Sequence, residues 1–295
     1  MTTLITSCRV LVFGGMGQAG QGLVGQSEEG VALALSREQA DVTDVAAMEA
    51  ALDENDPNVV VNAAVFHPVD LCETELGQSF AVNALAPGML AAACERRDIR
   101  LIHLSTDYVF DGAQRIPYSE NDSPGPLSVY ARSKLAGEHV VLAASPRHCV
   151  VRTSSVYGHA APGHGMPPFI ERMLQRAMCE EPTRVVDDQV VSPTYAEDLG
   201  AALWTLAQSN KAGLFHMAGD TATSWYEVAE RVFAFAGHLD LLSRTTTEEF
   251  GSVAPRPSYS ALRSERWNEL DIDPLPGIDD ALERHLAIAH PELGS

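Results

Sequence analysis

A chain of 295 residues, 45% hydrophobic by composition, is long enough for one large domain or two smaller ones and can bury a sizeable core. Its 40 acidic residues against 20 basic ones leave a formal charge of −20. That field argues against nonspecific nucleic-acid binding and against anionic membrane surfaces, so an anionic ligand must find a local patch.

In chain order, Arg9–Phe13 is a short apolar run that stops in glycines, and residues 17–27 read as a helix. Residues 31–35 read as a second strand, 45–52 as a helix, 58–62 as a third strand and 76–97 as a long helix. A fourth strand at 100–104, a helix at 128–144 and a fifth strand at 148–152 complete the first half. Strands with all-apolar cores alternating with helices predict a parallel sheet covered on both faces, an α/β doubly wound architecture of the Rossmann type. After residue 158 the pattern loosens into a Pro/Gly-rich loop at 159–168, a helix at 169–179, and strands at 183–186 and 213–217 around a helix at 195–208. The rest, from Thr223, is helix-rich. The expected division is a cofactor domain over 1–165, with 183–218 returning to it, and a smaller, interleaved C-terminal substrate domain of 166–182 and 219–295.

No run reaches the roughly 18 apolar residues of a membrane span. Met1 to Cys8 shows neither the basic start nor the apolar segment of a signal peptide. Five scattered cysteines with no Cys-x-x-Cys read as free thiols, so a reducing, cytoplasmic setting is expected. His159 and His164 share the Pro/Gly-rich loop, but nothing completes a metal site, and none is expected.

Three motifs carry chemistry. Gly14-Gly-Met-Gly17-Gln-Ala-Gly20 follows the first strand and opens a helix, where a tight turn and free N–H groups suit a pyrophosphate. Its G-x-x-G-x-x-G spacing differs from the usual dinucleotide fingerprint. At the end of the second strand stands Arg37 with no acid before it, which tilts the choice from NADH toward NADPH. Ser105-Thr106-Asp107-Tyr108 follows the fourth strand, where a hydroxyl can bind a substrate carbonyl. Tyr130 and Lys134 share one helix face, and Lys134 is one of only two lysines among the 20 basic residues. Lys keeps a movable pKa where Arg does not, and an ammonium beside a phenol favours phenolate, so a lowered Tyr130 pKa is expected. A helix whose Tyr and Lys merely flank each other has the same spacing.

Together with Asn62-Ala-Ala64, Asp70, Glu73, Arg152-Thr-Ser154, Ser192-Pro-Thr194, Ser224-Trp225-Tyr226, Arg256-Pro257 and Ser260, these motifs resemble the extended short-chain dehydrogenase/reductases. More closely, they resemble the dTDP-4-dehydrorhamnose reductase family, over nearly the whole chain. The resemblance implies NADPH-dependent reduction of a nucleotide-linked 4-keto-6-deoxy sugar. Tyr130 would be the acid at the 4-keto oxygen, Lys134 would hold the nicotinamide ribose and depress the phenol pKa, and Thr106 would orient the carbonyl. Gly14, Met16, Gly17, Gln18 and Gly20 would cradle the pyrophosphate, Arg37 would face the 2′-phosphate, and Asp41 and Val42 would lie by the adenine. Ala63 and Ala64 would run along the cofactor, and Asn83 would support a proton-relay water. On the substrate side stand Asp107, Tyr108, Ser155, Trp225 and Arg256.

Three departures fall on that side. Ser155 stands where the family usually has Trp, Phe66-His67-Pro68 replaces a Tyr/His-Thr-x segment, and Pro168-Phe169 replaces Asn-Phe. A reductase or epimerase of another nucleotide sugar is therefore an alternative. So is a noncatalytic NADP-binding regulatory subunit like the β subunit of methionine adenosyltransferase. Expected partners are a small-molecule sugar nucleotide and neither nucleic acid nor membrane; a homodimer is allowed.

Overall fold

The computed structural model describes residues 9–161 and 167–290. Six parallel strands form the central sheet: β1 (Val10–Phe13), β2 (Ala32–Leu35), β3 (Val59–Asn62), β4 (Arg100–Thr106), β5 (Cys149–Thr153) and β6 (Gly213–His216). Their order is β2-β1-β3-β4-β5-β6, so the winding direction reverses between β1 and β3. In such a sheet the crevice at the strands' carboxyl ends, at the reversal, is where ligands bind.

The main helices in chain order are α1 (Gln18–Val24), α2 (Val45–Asn55), α3 (Ala86–Arg96), α4 (Val129–Ala144), α5 (Phe169–Met178), α6 (Ala196–Gln208), α7 (Trp225–Phe235) and α8 (Ile278–Ala289). Alternate strand residues feed two cores. Val10, Val12, Val59, Val61, Ile102 and Val151 pack with Leu23 of α1 and Leu199, Leu203 and Leu206 of α6. Leu11, Phe13, Val60, Leu101 and Val150 pack on the opposite face with Met48 and Leu52 of α2, Leu90 of α3 and Val141 of α4. The doubly wound fold is as the sequence implies.

Two elements differ from expectation. β4 runs two residues past its predicted end, because Ser105 and Thr106 still pair with Arg152 and Thr153 of β5. The predicted long helix at 76–97 is broken: Leu76–Phe80 is α-helical, Ala81–Leu85 forms a π turn, and α3 follows. Pro87 has no N–H to give the Asn83 carbonyl four residues back, and such a gap favours a wider turn.

A second core gathers Ile170, Met173 and Leu174 of α5, Val228, Val232 and Phe233 of α7, and Leu282 and Leu286 of α8. Thr183–Val186 pairs in parallel with Leu242–Thr245 in this smaller lobe and not with the central sheet. The chain's return to the sheet thus starts with α6, later than residue 183.

Candidate active site

The glycine turn is shaped by backbone contact. Gly14 has φ +70°, and a Cβ on it would lie 2.5 Å from the Ala64 nitrogen. Only glycine lets the loop after β1 lie against the loop after β3. This brings Gly14 against Ala63 and Ala64, as a bound dinucleotide would need. Gly17 caps α1 with no side-chain bond and no acid in the first turn, so the helix's leading N–H groups keep no side-chain acceptor. A Cβ on Gly17 would meet only the Gly14 carbonyl, at 3.5 Å, so that side is open. Gln18 opens α1, and Gly20 is buried behind the turn. The residues present fit a pyrophosphate.

Past β2, Arg37 pairs with Asp41 (Nε–Oδ2 2.9 Å) and is 71% exposed. Asp41 also accepts the Thr43 N–H and hydroxyl, at 2.9 and 2.6 Å. The Thr43 hydroxyl, with Arg37 adding to it, holds the Asp41 carboxyl below its ordinary pKa. Val42 is buried beside them. Arg37 must share its guanidinium between Asp41 and a 2′-phosphate. Arg37→Ala is therefore expected to weaken NADPH binding about tenfold, near 1.4 kcal/mol for one exposed charge-assisted contact, and to leave NADH almost unchanged. Fluorescence titration of both cofactors checks this; equal losses would remove Arg37 from 2′-phosphate recognition.

Ser128 caps α4 through the Ala131 N–H, and Glu73 accepts the Val129 N–H at 2.8 Å. So anchored, α4 turns Tyr130 and Lys134 inward, at 6% and 2% exposure. The Tyr130 phenol faces Thr106, whose hydroxyl works to lower its pKa. The Thr106 hydroxyl accepts the Tyr108 N–H at 3.2 Å and lies 3.1 Å from Asp107 Oδ1. The expected depression of the phenol pKa is not found: burial raises it, with the Thr106 hydroxyl opposing. Lys134 is turned elsewhere. Its Nζ donates to the Leu104 carbonyl at 2.6 Å and lies 3.3 Å from His103 Nε2. Burial lowers the lysine to about 8, against the pull of Glu138.

Other assignments also shift. Asp107 is 3% exposed and caged by hydroxyls: Thr106 at one oxygen, Ser154 (3.0 Å) and Ser260 at the other. Burial pushes it up to about 6 despite those bonds. It backs Thr106 and ties β4 to the smaller lobe, and it has no face left for a sugar. Asn83 is fully buried, and its amide spans both the N–H and C=O of Phe66 (2.9 and 3.0 Å) and the Ser133 hydroxyl (3.1 Å). With its side chain committed to the loop after β3, it is not the free group a water relay would need.

Tyr108 and Arg256 do join the site. The Tyr108 ring stands edge-on to Tyr130 at 6.2 Å, with His67 edge-on at 5.8 Å. Arg256 lies near the Tyr108 hydroxyl and pairs with Asp70 at 3.1 Å, bringing a loop of the smaller lobe onto the loop after β3. The surrounding protein, then the Arg256 and Lys134 charges, hold His67 below the ordinary histidine pKa. Beside Arg256, Arg115, Asp187, Asp188, Thr247 and Ser258 line a cavity, so two arginines and two aspartates border it. Trp225 opens α7 and packs on Phe169 at 4.6 Å, within the smaller lobe. Ser155 follows β5 in a left-handed conformation, φ +46°. His159 lies 5.2 Å from His285; His164 falls outside the described residues.

His103 and Arg115 are the residues that motif reading misses, whereas His67 entered it only as part of a departure on the substrate side. A histidine inside an otherwise apolar parallel strand was the available signal for His103.

Residues 8–290 match the family model described as RmlD substrate binding domain. A dTDP-4-dehydrorhamnose reductase from Mycobacterium tuberculosis is 42% identical over 287 residues, covering 95% of this chain and 92% of the relative. The chain belongs to the dTDP-4-dehydrorhamnose reductase family. A dTDP-4-keto-6-deoxy-D-glucose reductase from Streptomyces niveus is 36% identical, covering 90% of this chain and 92% of its own. The crystal structure of the Bacillus anthracis dTDP-4-dehydrorhamnose reductase in complex with NADP superimposes with a TM-score of 0.89 at 29% identity, over 95% of this chain and 99% of that one. No helix among the described residues is long and apolar enough to cross a membrane.

Proposed function

We propose that this reductase-family member uses NADPH to reduce the 4-keto group of a nucleotide-activated 6-deoxy sugar. The observation that carries the reading is the Tyr130 phenol, buried on α4 and facing the Thr106 hydroxyl at the carboxyl end of β4. NADPH supplies the hydride when bound. Thr106 orients the carbonyl by turning its hydroxyl proton from Asp107 to the carbonyl oxygen, and the buried Tyr130 phenol supplies that oxygen's proton as charge develops on it. Raised by burial, the phenol stays protonated until the carbonyl oxygen becomes basic enough to take its proton. Gly14, Gly17 and the N-terminus of α1 hold the pyrophosphate, and Ala63 and Ala64 flank the rest of the dinucleotide. The sugar nucleotide lies against the smaller lobe, at the cavity bordered by its Arg256 and by Arg115 from the loop after β4. A cytoplasmic location suits thiols such as Cys72, Cys94 and Cys149, which are buried and free.

Consumption of NADPH with a panel of dTDP-linked 4-keto-6-deoxy sugars tests the reading; no turnover with any of them, at unimpaired NADPH binding, would leave only a binding role. Within the panel, Ser155 lacks the aromatic face that a Trp gives other members of the family, worth on the order of 1–3 kcal/mol against a sugar ring. We expect dTDP-4-dehydrorhamnose to be a poorer substrate by kcat/KM than a bulkier 4-keto sugar, and Ser155→Trp to improve it. A high wild-type value that falls in Ser155→Trp would end the idea of an altered pocket.

A further inference from the structure

Beneath the catalytic pair lies a buried chain of polar groups that starts at the end of β3. Asn62 and His103 are register partners on β3 and β4, and both are fully buried. Asn62 Oδ1 accepts the Ala64 N–H at 3.1 Å, which fixes the oxygen end of the amide. The NH2 end therefore faces His103 Nδ1, at 3.2 Å. An amide donor there requires a bare ring nitrogen, so Asn62 admits neither an Nδ1–H tautomer nor an imidazolium. Burial, aided by the Lys134 charge, keeps the ring neutral, far below the ordinary histidine range. Its single proton must then sit on Nε2, and Nε2 lies 3.3 Å from Lys134 Nζ.

That direction matters. An Nε2–H aimed at Nζ finds a lone pair on a neutral amine and none on an ammonium. Gly137 lets α4 pack directly on this arrangement: a Cβ there would lie 2.2 Å from the Asn83 carbonyl oxygen and 3.3 Å from His103 Nε2.

We propose that His103, locked as its Nε2–H tautomer by Asn62, is a positioning residue that makes Lys134 a ready proton donor to the Tyr130 phenolate left after each reduction. The hydride carries two electrons to the carbonyl carbon, and the phenol's proton goes to the carbonyl oxygen. The phenolate then needs one proton. The Lys134 ammonium, once released from the Leu104 carbonyl, gives it across one helical turn, becomes an amine that the His103 N–H stabilises, and is reprotonated by solvent. The other titratable groups that act on Lys134 or feel its charge are Glu138 on α4 itself and His67 on the loop after β3. Glu138 alone pulls the lysine toward its charged form, and its carboxylate is already committed to Arg152 and Ser105.

The proposal rests on Tyr130 and Lys134 being the catalytic pair, and the two ideas fail separately. In histidine-labelled protein with NADP+, 15N shifts are expected to show His103 with a bare Nδ1 and a protonated Nε2 throughout the pH range of activity. The His103→Met spectrum supplies the assignment, and no turnover is involved. An Nδ1–H tautomer or an imidazolium would overturn the proposal even if Tyr130 proved essential. In kcat/KM profiles, His103→Met removes the donor that favours the amine, so the alkaline limb should move up by about one pH unit. Asn62→Leu, which unlocks the ring and lets Nε2 accept from the ammonium, should move it the same way if His103→Met does not fold. An alkaline limb that stays in place in a folded variant overturns the proposal.

Discussion

Tyr130→Phe is expected to lower reduction of the sugar ketone by about 10²–10⁴-fold, the usual worth of general acid catalysis, with NADPH affinity nearly unchanged. On the proposed reading the phenol is the proton source beside Thr106, whereas the glycine turn and the loop after β3 would hold the cofactor, and the substitution does not touch them. The ring is buried between His67 and Tyr108, and phenylalanine keeps both edge contacts. The change is thus close to the removal of one hydroxyl. Stopped-flow reduction and cofactor titration on one preparation separate the two quantities. Retention of more than about a tenth of wild-type turnover would place the acid elsewhere, since even the weakest general acids contribute more than that.

The fold was largely legible because its signals are local. All-apolar strands, glycine at the first turn and Ser128 at the head of α4 each state their role within a few residues. The break at Ala81–Leu85 was also written locally, in Pro87, but a proline near a helix start looks ordinary until a π turn precedes it. The site was legible in its members and less so in their states. The i, i+4 spacing places Tyr130 and Lys134 on one face, yet it cannot say that the ammonium finds the Leu104 carbonyl before the phenol. Nor can it weigh burial against charge, and burial decides both pKa shifts. Asp107 and Asn83 show the same limit. Each belongs to a family motif, but each is held by partners 17 to 153 residues away that no spacing rule connects.

The same long-range dependence sets the largest expected effect on stability, at Glu138. It is 1% exposed, and its carboxylate accepts Arg152 Nε and Nη2 at 2.9 and 2.6 Å and the Ser105 hydroxyl at 2.5 Å. Arg152 is itself 3% exposed, with its guanidinium 5.1 Å above the Phe110 ring and Nη1 3.5 Å from His216 Nε2. Neither neighbour can neutralise it. Glu138→Ala would leave a buried cation without a counter-charge and a cavity beside it, a loss of about 3–5 kcal/mol. For a chain of this size that corresponds to a fall in Tm on the order of 10 °C. Because a well-packed apolar pair can replace a buried ion pair at little cost, the double variant Glu138→Leu, Arg152→Met should recover most of the loss. Urea denaturation of the wild type, Glu138→Leu, Arg152→Met and the double variant closes the cycle. A mild single and a worse double would mean that the pair stabilises the fold outright. The expected pattern instead makes it a device of position: it holds Ser105, and so the adjoining Thr106, in register with α4. In that case the recovered double variant should remain folded yet reduce the ketone more slowly than the wild type.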